Sequence, residues 1–234
     1  MEQDLYQSYD DPLFIIIKRI QLKIDNVNLE VDMWENSNIQ VFWGEIAPCD
    51  HLIQIYESDK IFLDTLEGFA GAGIIAGDSV VIIATASHLE NLNQRLLNQG
   101  FDLESLSGDG RYIPLGANET LSKFMVNDWP DEELFNHFIT SVMAKATKGN
   151  RKVRAFGEMV ALLWEKGLNG ATVRLEHLWC ELQQKKDFTL YCAYPKNGFT
   201  QSAADSILTI CKTHTKIIDG GSRPVTEIYY RDIA

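Results

Sequence analysis

The sequence predicts an α/β protein in which a mainly parallel sheet is covered by helices on both faces. From His51 onward, apolar runs of strand length alternate with helical periodicity, a succession that is typical of parallel sheets. The run 80–84 is apolar at every position, which indicates a strand that is buried on both sides. With 234 residues, of which 45% are hydrophobic, the chain is long enough for one large domain with a small extension.

The first 48 residues differ from the rest and predict a β-rich extension that precedes a main domain at 49–234. Ile20, Leu22 and Ile24 alternate with polar residues, which is the period of a half-buried strand. Further short β-rich runs follow, and the last of them ends at Trp43. We expect this extension to cap or extend the main sheet.

The elements of the main domain follow from local patterns of apolar residues. Strands are expected at the short apolar runs 52–56, 80–84, 111–115, 153–156, 188–193, 215–218 and 225–230. Further helices are expected at 158–166 and 202–212. Apolar residues at helical spacing also predict helices whose inward-facing residues are Phe62, Leu66 and Phe69; Leu89, Leu92 and Leu96; Leu134, Phe138 and Val142, in a helix that ends before Gly149; and Leu175, Leu178 and Leu182. Ser58 is placed to cap the first helix, and the segment Ser87-His88-Leu89-Glu90 has the pattern of a capping box.

Charge and cysteine content exclude several classes of function. The chain has 21 Lys and Arg against 33 Asp and Glu, whereas nucleic-acid binding and polybasic membrane surfaces require clustered cations. The acidic N-terminus does not resemble a signal peptide, and no apolar run approaches the ~20 residues of a spanning helix. The four cysteines contain no CxxC pair. We therefore predict a cytoplasmic protein with no direct nucleic-acid or membrane partner.

Familiar cofactor and metal motifs are absent or stand in the wrong context. Residues 71–76 spell the GxGxxA of dinucleotide-binding proteins, but they end a predicted helix and lead into a strand, which indicates a Gly-rich connection. No GxxxxGK[ST] phosphate loop occurs. His177 and Cys180 share a helical face, but without a second pair we interpret them as a core cysteine beside a partly exposed histidine. We predict no catalytic residue, no metal and no cofactor.

Polar residues at the ends of the predicted strands form the candidate ligand site. In an open parallel sheet, ligands bind beyond the carboxyl ends of the strands. Tyr56, for example, ends the first strand, and His88 follows the second. The candidate ligand-binding residues are His51, Tyr56, Glu57, Ser58, His88, Arg154, Glu158 and Tyr194.

Each candidate also has a structural interpretation. Ser58 is suited to cap a helix, and for His88 the structural interpretation is the favoured one. Arg154 inside an apolar strand needs a partner, and Glu158, near the start of a helix, is the expected one. We predict that these two side chains meet at the carboxyl edge of the sheet. For both of them and for Tyr56, structural and functional roles remain equally open.

Seven segments of the chain occur in an order that matches a known family. They are His51–Tyr56, 77–85, 96–102, 154–159, 175–179, 191–195 and 210–214. Together they resemble the methanogen/methylotroph sensory domain, MEDS, over about residues 50–218. The resemblance implies a RecA/KaiC-like fold without a working phosphate loop. At the corresponding position, residues 56–60 lack glycine, and the carboxylates of Glu57 and Asp59 would repel phosphate.

The resemblance implies a non-enzymatic sensory domain that binds a small molecule, such as a hydrocarbon derivative, and signals through a partner such as a histidine kinase or transcription regulator. Two alternatives stay open. The first is a divergent KaiC-like nucleotide-binding ATPase or transferase, with Glu158 as base and Lys60 near the phosphates. The second is a protein-interaction module whose N-terminal extension binds a partner or a second copy in a homo-oligomer.

Overall fold

The computed structural model describes residues 49–196, 213–220 and 228–230, together with Trp43, Ile46, Ala47 and Ile210. The predicted extension at 1–48 and the predicted helix at 202–212 therefore lie almost entirely outside the described residues. Trp43, which the sequence assigns to the extension, is buried in the core of the main domain. Its ring centroid lies 5.3 Å from that of Phe69 and 6.2 Å from that of Tyr191.

A seven-stranded sheet forms the centre of the domain. The described strands are β1 (His51–Tyr56), β2 (Ser79–Ala84), β3 (Tyr112–Gly116), β4 (Met125–Val126), β5 (Trp129–Pro130), β6 (Val153–Gly157), β7 (Thr189–Pro195), β8 (Lys216–Gly220) and β9 (Ile228–Tyr230). The spatial order is β3-β2-β6-β7-β1-β8-β9, with β4 and β5 forming a separate antiparallel hairpin. All neighbours in the large sheet are parallel except β8 and β9. The predicted mainly parallel sheet is confirmed.

Helices connect the strands and cover both faces of the sheet. The described helices are α1 (Asp59–Ile75), α2 (Ala86–Asn98), α3 (Leu103–Gly108), α4 (Ala117–Leu121), α5 (Glu132–Ala146), α6 (Met159–Glu165) and α7 (Asn169–Gln183). Buried side chains of α1, α2 and α3 form one core with one face, and those of α4 to α7 form a second core with the other. Neighbouring strand residues alternate between the cores, so Leu52 faces the first and Ile53 the second. Of the described helices, none has both the length and the apolar character that crossing a bilayer would require.

The glycines of the GxGxxA segment allow α1 to lie close against the sheet. The segment occupies the last turns of this helix and leads through Gly77 (φ 80°) to β2, as predicted for a connection. A Cβ on Gly73 would stand 2.8 Å from Cγ2 of Val80 and 2.9 Å from Cδ of Arg154. Since real Cβ atoms do not approach other atoms so closely, glycine is required here by packing.

Two local predictions were wrong in detail. Helix α2 begins at Ala86 with Thr85 as its N-cap residue, so Ser87 lies inside the helix and does not form the predicted capping box. In α5 the buried stripe includes Phe135 and Ile139, whereas Leu134 is 44% exposed. The first error arises because a helical period fixes spacing more firmly than it fixes the first residue of a helix.

Candidate functional site

Glu158 is the centre of a hydrogen-bond network at the carboxyl ends of β2 and β6. Its backbone N–H donates to the carbonyl of Ile83 at 2.8 Å, and it is the N-cap residue of α6. Its Oε2 accepts from the backbone N–H of Thr85 at 2.7 Å, and its Oε1 lies 2.8 Å from Nδ1 of His88. Only 5% of Glu158 is exposed, and these contacts offset the cost of burying its carboxylate.

Two aromatic rings extend this network toward the end of β1. The ring of Phe62 lies 4.8 Å from that of His88 and stacks at 4.9 Å on that of Tyr56. Burial and the charge of Glu158 raise the pKa of Tyr56, so its phenol stays protonated. Burial alone would lower the pKa of His88, but the hydrogen bond to Glu158 and its charge outweigh burial and raise that pKa. We call Tyr56, Phe62, Thr85, His88 and Glu158 the rim site.

Glu57 and Ser58 lie beside the rim site and have partners of their own. Ser58 is the N-cap residue of α1, as predicted, and its Oγ accepts from the backbone N–H of Ile61 at 3.5 Å. Glu57 forms an ion pair with Lys196, with Nζ 3.0 Å from Oε1. Nζ of Lys60 forms an ion pair with Oδ2 of Asp64, one turn further along α1, at 2.9 Å. The start of α1 therefore has Glu57 and Asp59 and lacks the glycines of a phosphate-binding loop.

Arg154 is not at the rim site, and its predicted contact with Glu158 is wrong. It is aligned with Val80 and Thr189, near the starts of β2 and β7, whereas Glu158 follows the end of β6. Its Nε donates to Oδ2 of Asp78 at 2.8 Å, and its Nη1 donates to the carbonyl of Trp43 at 3.0 Å. Arg154 lies near the amino end of β6 and Glu158 just beyond its carboxyl end. The two side chains are therefore at opposite ends of this strand.

His51 and Tyr194 are also placed away from the rim site. Both are buried in the second core, beneath α7, with exposures of 1% and 0%. His51 is the first residue of β1 and Tyr56 is the last, so the two lie at opposite ends of the strand. The prediction that His51 joins Tyr56 in one site is therefore wrong. The hydroxyl of Tyr194 donates to Oε1 of Glu176 on α7. His51 thus belongs to a separate buried cluster, and Tyr194 is hydrogen-bonded to a member of it.

The buried cluster consists of His51, Glu176, Cys192 and His214, whose donor atoms all lie within 4.8 Å of one another. Nε2 of His51 is 3.5 Å from Oε2 of Glu176 and 3.5 Å from Sγ of Cys192. Nε2 of His214 is 3.6 Å from the same Oε2. These are residue types that bind metal ions in proteins.

Burial determines the protonation of the cluster. It lowers the pKa of His51 and of His214 to about 3, so both imidazoles are neutral near pH 7. Burial, followed by the charge of Glu176, raises the pKa of Cys192 well above its ordinary value. The Nε2 of His214 has no hydrogen-bond partner although it is buried.

Sequence reasoning missed Glu176, Cys192 and His214 as members of one site. All three stand in segments that carry the family resemblance, at 175–179, 191–195 and 210–214. Two features of the sequence could have indicated the site: Glu176 lies on the apolar stripe of a helix, and His51 stands at the start of a buried strand. Ionisable residues are rarely fully buried, so those at buried positions often have a specific role. His177 and Cys180, which share a helical face, differ in their surroundings: His177 is exposed, whereas Sγ of Cys180 lies 3.5 Å from Nδ1 of His51.

A cleft of about 630 Å³ opens at the amino ends of the strands, on the side of the sheet opposite the rim site. The starts of β2 and β6 and the end of α1 form its walls, and Asp78, Arg151, Lys152 and Arg154 line it. Arg154 thus lines a cavity, but a different one from the site for which it was predicted. The pair Arg154–Asp78 forms part of the floor of this cleft.

Solved structures with low sequence identity to this chain can be aligned with it. A search of curated sequences finds no match. The fold is similar to that of a Pyrococcus horikoshii OT3 protein, with a TM-score of 0.51, 10% identity, and coverage of 83% of this chain and 91% of the other. The flagellar accessory protein FlaH from Methanocaldococcus jannaschii aligns with a TM-score of 0.47, 14% identity and coverage of 80% and 78%.

The sheet has the mainly parallel α/β architecture that the sequence predicted. The sequence profile of the MEthanogen/methylotroph, DcmR Sensory domain matches residues 50–215, which is most of the chain. That range contains the rim site and all four residues of the buried cluster. The chain therefore belongs to the MEDS family of sensory domains.

Proposed function

We propose that this domain is a non-enzymatic sensor that binds a small molecule at the rim site. The observation that carries the proposal is the placement of Glu158, a nearly buried carboxylate bonded to His88 and Thr85 at the carboxyl ends of two parallel strands. Ligands of open α/β sheets bind at this edge. Membership of a sensory-domain family supports the same role.

The chemistry of the rim site favours a small ligand with one polar group and an apolar part. The carboxylate and imidazole supply an acceptor and a donor, and the rings of Tyr56 and Phe62 supply an apolar wall. This combination suits the small hydrocarbon-derived molecules that the family resemblance implies. It does not suit a nucleoside triphosphate, because the negative charge of Glu158 and Asp59 would repel phosphates.

The output of the sensor is assigned in this proposal to a partner protein, such as a histidine kinase or transcription regulator. His88 lies in the first turn of α2, so a ligand that changes its bond to Glu158 would act on the position of that helix. Movement of a helix over a packed sheet is a common way to convert ligand binding into a change of surface.

A thermal-shift screen of small metabolites and hydrocarbon derivatives tests the proposal. A ligand that binds only the folded state at 100 times its Kd adds about 2.7 kcal/mol of stability, which raises Tm. The shift should be lost in Glu158→Gln and in His88→Ala, and should persist in Gln94→Ala, a control at an exposed position of the same helix.

Two outcomes would contradict the proposal. A ligand-induced shift that survives in Glu158→Gln but disappears in Arg151→Ala would place the ligand in the opposite cleft. Magnesium-dependent ATP turnover that Glu158→Gln abolishes would identify an enzyme instead of a sensor.

A further inference from the structure

The buried cluster has the spacing of a metal centre and not only the residue types. With bonds of 2.0 to 2.3 Å to nitrogen, oxygen and sulfur, the ligand atoms of a tetrahedral zinc ion stand about 3.3 to 3.6 Å apart. Oε2 of Glu176 lies 3.5 Å and 3.6 Å from Nε2 of His51 and His214, respectively. Sγ of Cys192 lies 3.5 Å from Nε2 of His51 and 3.7 Å from that same Oε2. Four of the six ligand–ligand distances are therefore close to the edges of such a tetrahedron, and all six are within 4.8 Å.

The other polar atoms of the cluster are already held by neighbours, which orients the free lone pairs inward. Nδ1 of His214 lies 2.6 Å from the carbonyl of Ile210 and donates its proton there, so its buried Nε2 carries a lone pair that has no partner. Oε1 of Glu176 accepts from the hydroxyl of Tyr194, which leaves Oε2 to face the cluster. Such outer contacts are those that orient metal ligands in proteins.

The surroundings of Glu176 also favour a bound cation. Glu176 is fully buried, and among the described residues no lysine or arginine forms an ion pair with it. A carboxylate and a thiolate together would neutralise a divalent ion, and a bound metal ion deprotonates a coordinating thiol.

We propose that His51, Glu176, Cys192 and His214 bind a zinc-type divalent transition metal ion. Two imidazoles, one thiolate and one carboxylate favour Zn²⁺ over Mg²⁺ or Ca²⁺, which prefer oxygen ligands alone. Four protein ligands close the coordination shell, which is typical of a structural site. The ion would join the start of β1, α7, β7 and the residue two positions before β8, and so fix the C-terminal part of the sheet to the core.

Metal binding by the full-length chain tests this proposal directly. After removal of bound metal under native conditions, equilibrium dialysis against Zn²⁺ followed by elemental analysis should give one ion per chain. With Co²⁺ in place of Zn²⁺, the protein should show the intense visible bands of a tetrahedral ion and a sulfur-to-cobalt charge-transfer band. Absence of Zn²⁺ binding or of the charge-transfer band in the folded wild-type chain would overturn the proposal.

Matched variants identify the ligands. Cys192→Ser should remove the charge-transfer band, whereas Cys180→Ser, beside the cluster but outside the ligand set, should retain it. Tyr194→Phe should weaken Zn²⁺ binding by about 10- to 100-fold, which is the usual effect of losing an outer contact. Tyr191→Phe, on the opposite face of β7, should leave binding unchanged.

The variants also separate this site from the proposed ligand site. Glu158→Gln should bind Zn²⁺ like the wild type, so failure of either proposal does not affect the other. If Cys192→Ser does not fold, the Tyr194→Phe and Tyr191→Phe pair decides the position of the ion. Equal Zn²⁺ affinity in the wild type and in folded Cys192→Ser or Tyr194→Phe would show that the ion binds elsewhere.

Discussion

Arg154 and Asp78 form a buried ion pair, with Nε 2.8 Å from Oδ2 and with side-chain exposures of 8% and 12%. The guanidinium also donates to the carbonyl of Trp43 and lies 5.9 Å above the ring of Phe69. Both partners are withdrawn from water, so each depends on the other for its charge compensation.

Asp78→Ala is expected to lower the free energy of unfolding by about 3 to 5 kcal/mol, because it leaves a buried guanidinium without its counter-charge. The double variant Arg154→Met/Asp78→Leu should lose less than Asp78→Ala, since apolar side chains of similar volume replace the pair. Urea unfolding of the variants measures both quantities. A loss below about 1 kcal/mol in Asp78→Ala would mean that the pair behaves like a surface salt bridge.

Gly73→Ala is expected to destabilise the fold by about 1 to 3 kcal/mol, because the added methyl group would overlap Val80 and Arg154 at the α1–sheet contact. Gly108→Ala is the matched control, since a Cβ at that helix position meets no atom within 4 Å. The control should be neutral or slightly stabilising. Equal midpoints for the two variants in chemical unfolding would contradict the close packing of α1.

The pH dependence of His88 follows from its bond to Glu158. The folded-state pKa of His88 is raised above its ordinary value of 6.5, so the pair stabilises the fold fully below that value. The contribution is lost as pH rises through the raised pKa. NMR titration of the His88 ring should give a lower pKa in Glu158→Gln than in the wild type. An unchanged pKa would show that Glu158 does not interact with His88 in solution.

A buried hydrogen-bond chain lies between β1, β7 and α1. The hydroxyl of Tyr191 donates to Oε1 of Gln54, whose Nε2 donates to Oγ1 of Thr65 at 2.9 Å. Gln54→Leu should cost about 1 to 3 kcal/mol, because it leaves the buried hydroxyl of Tyr191 without an acceptor. Adding Tyr191→Phe should recover part of that loss. Additive losses in the double variant, measured by denaturant unfolding, would argue against a direct bond.

Local sequence patterns predicted most of the strands and helices, because the spacing of apolar residues within a few positions reflects which faces of an element are buried. The continuous apolar run at 80–84 indicated a strand buried on both faces, and Phe62, Leu66 and Phe69 indicated the buried side of α1. The context of the GxGxxA segment, a helix end followed by a strand, predicted a Gly-rich connection, and the segment has that place in the structure. These features depend on neighbours within a few residues.

The sequence by itself determined the α/β class, the order of the elements and the family resemblance, but only the tertiary structure decided which ionisable groups meet. Arg154 pairs with Asp78 and not with Glu158, which is nearby in sequence. The reason is that an extended strand separates residues four positions apart, so these two lie at opposite ends of β6. The buried cluster joins His51 and His214, from opposite ends of the main domain, only because β1 lies between β7 and β8. Strand order and register are properties of the whole sheet, and no local period encodes them.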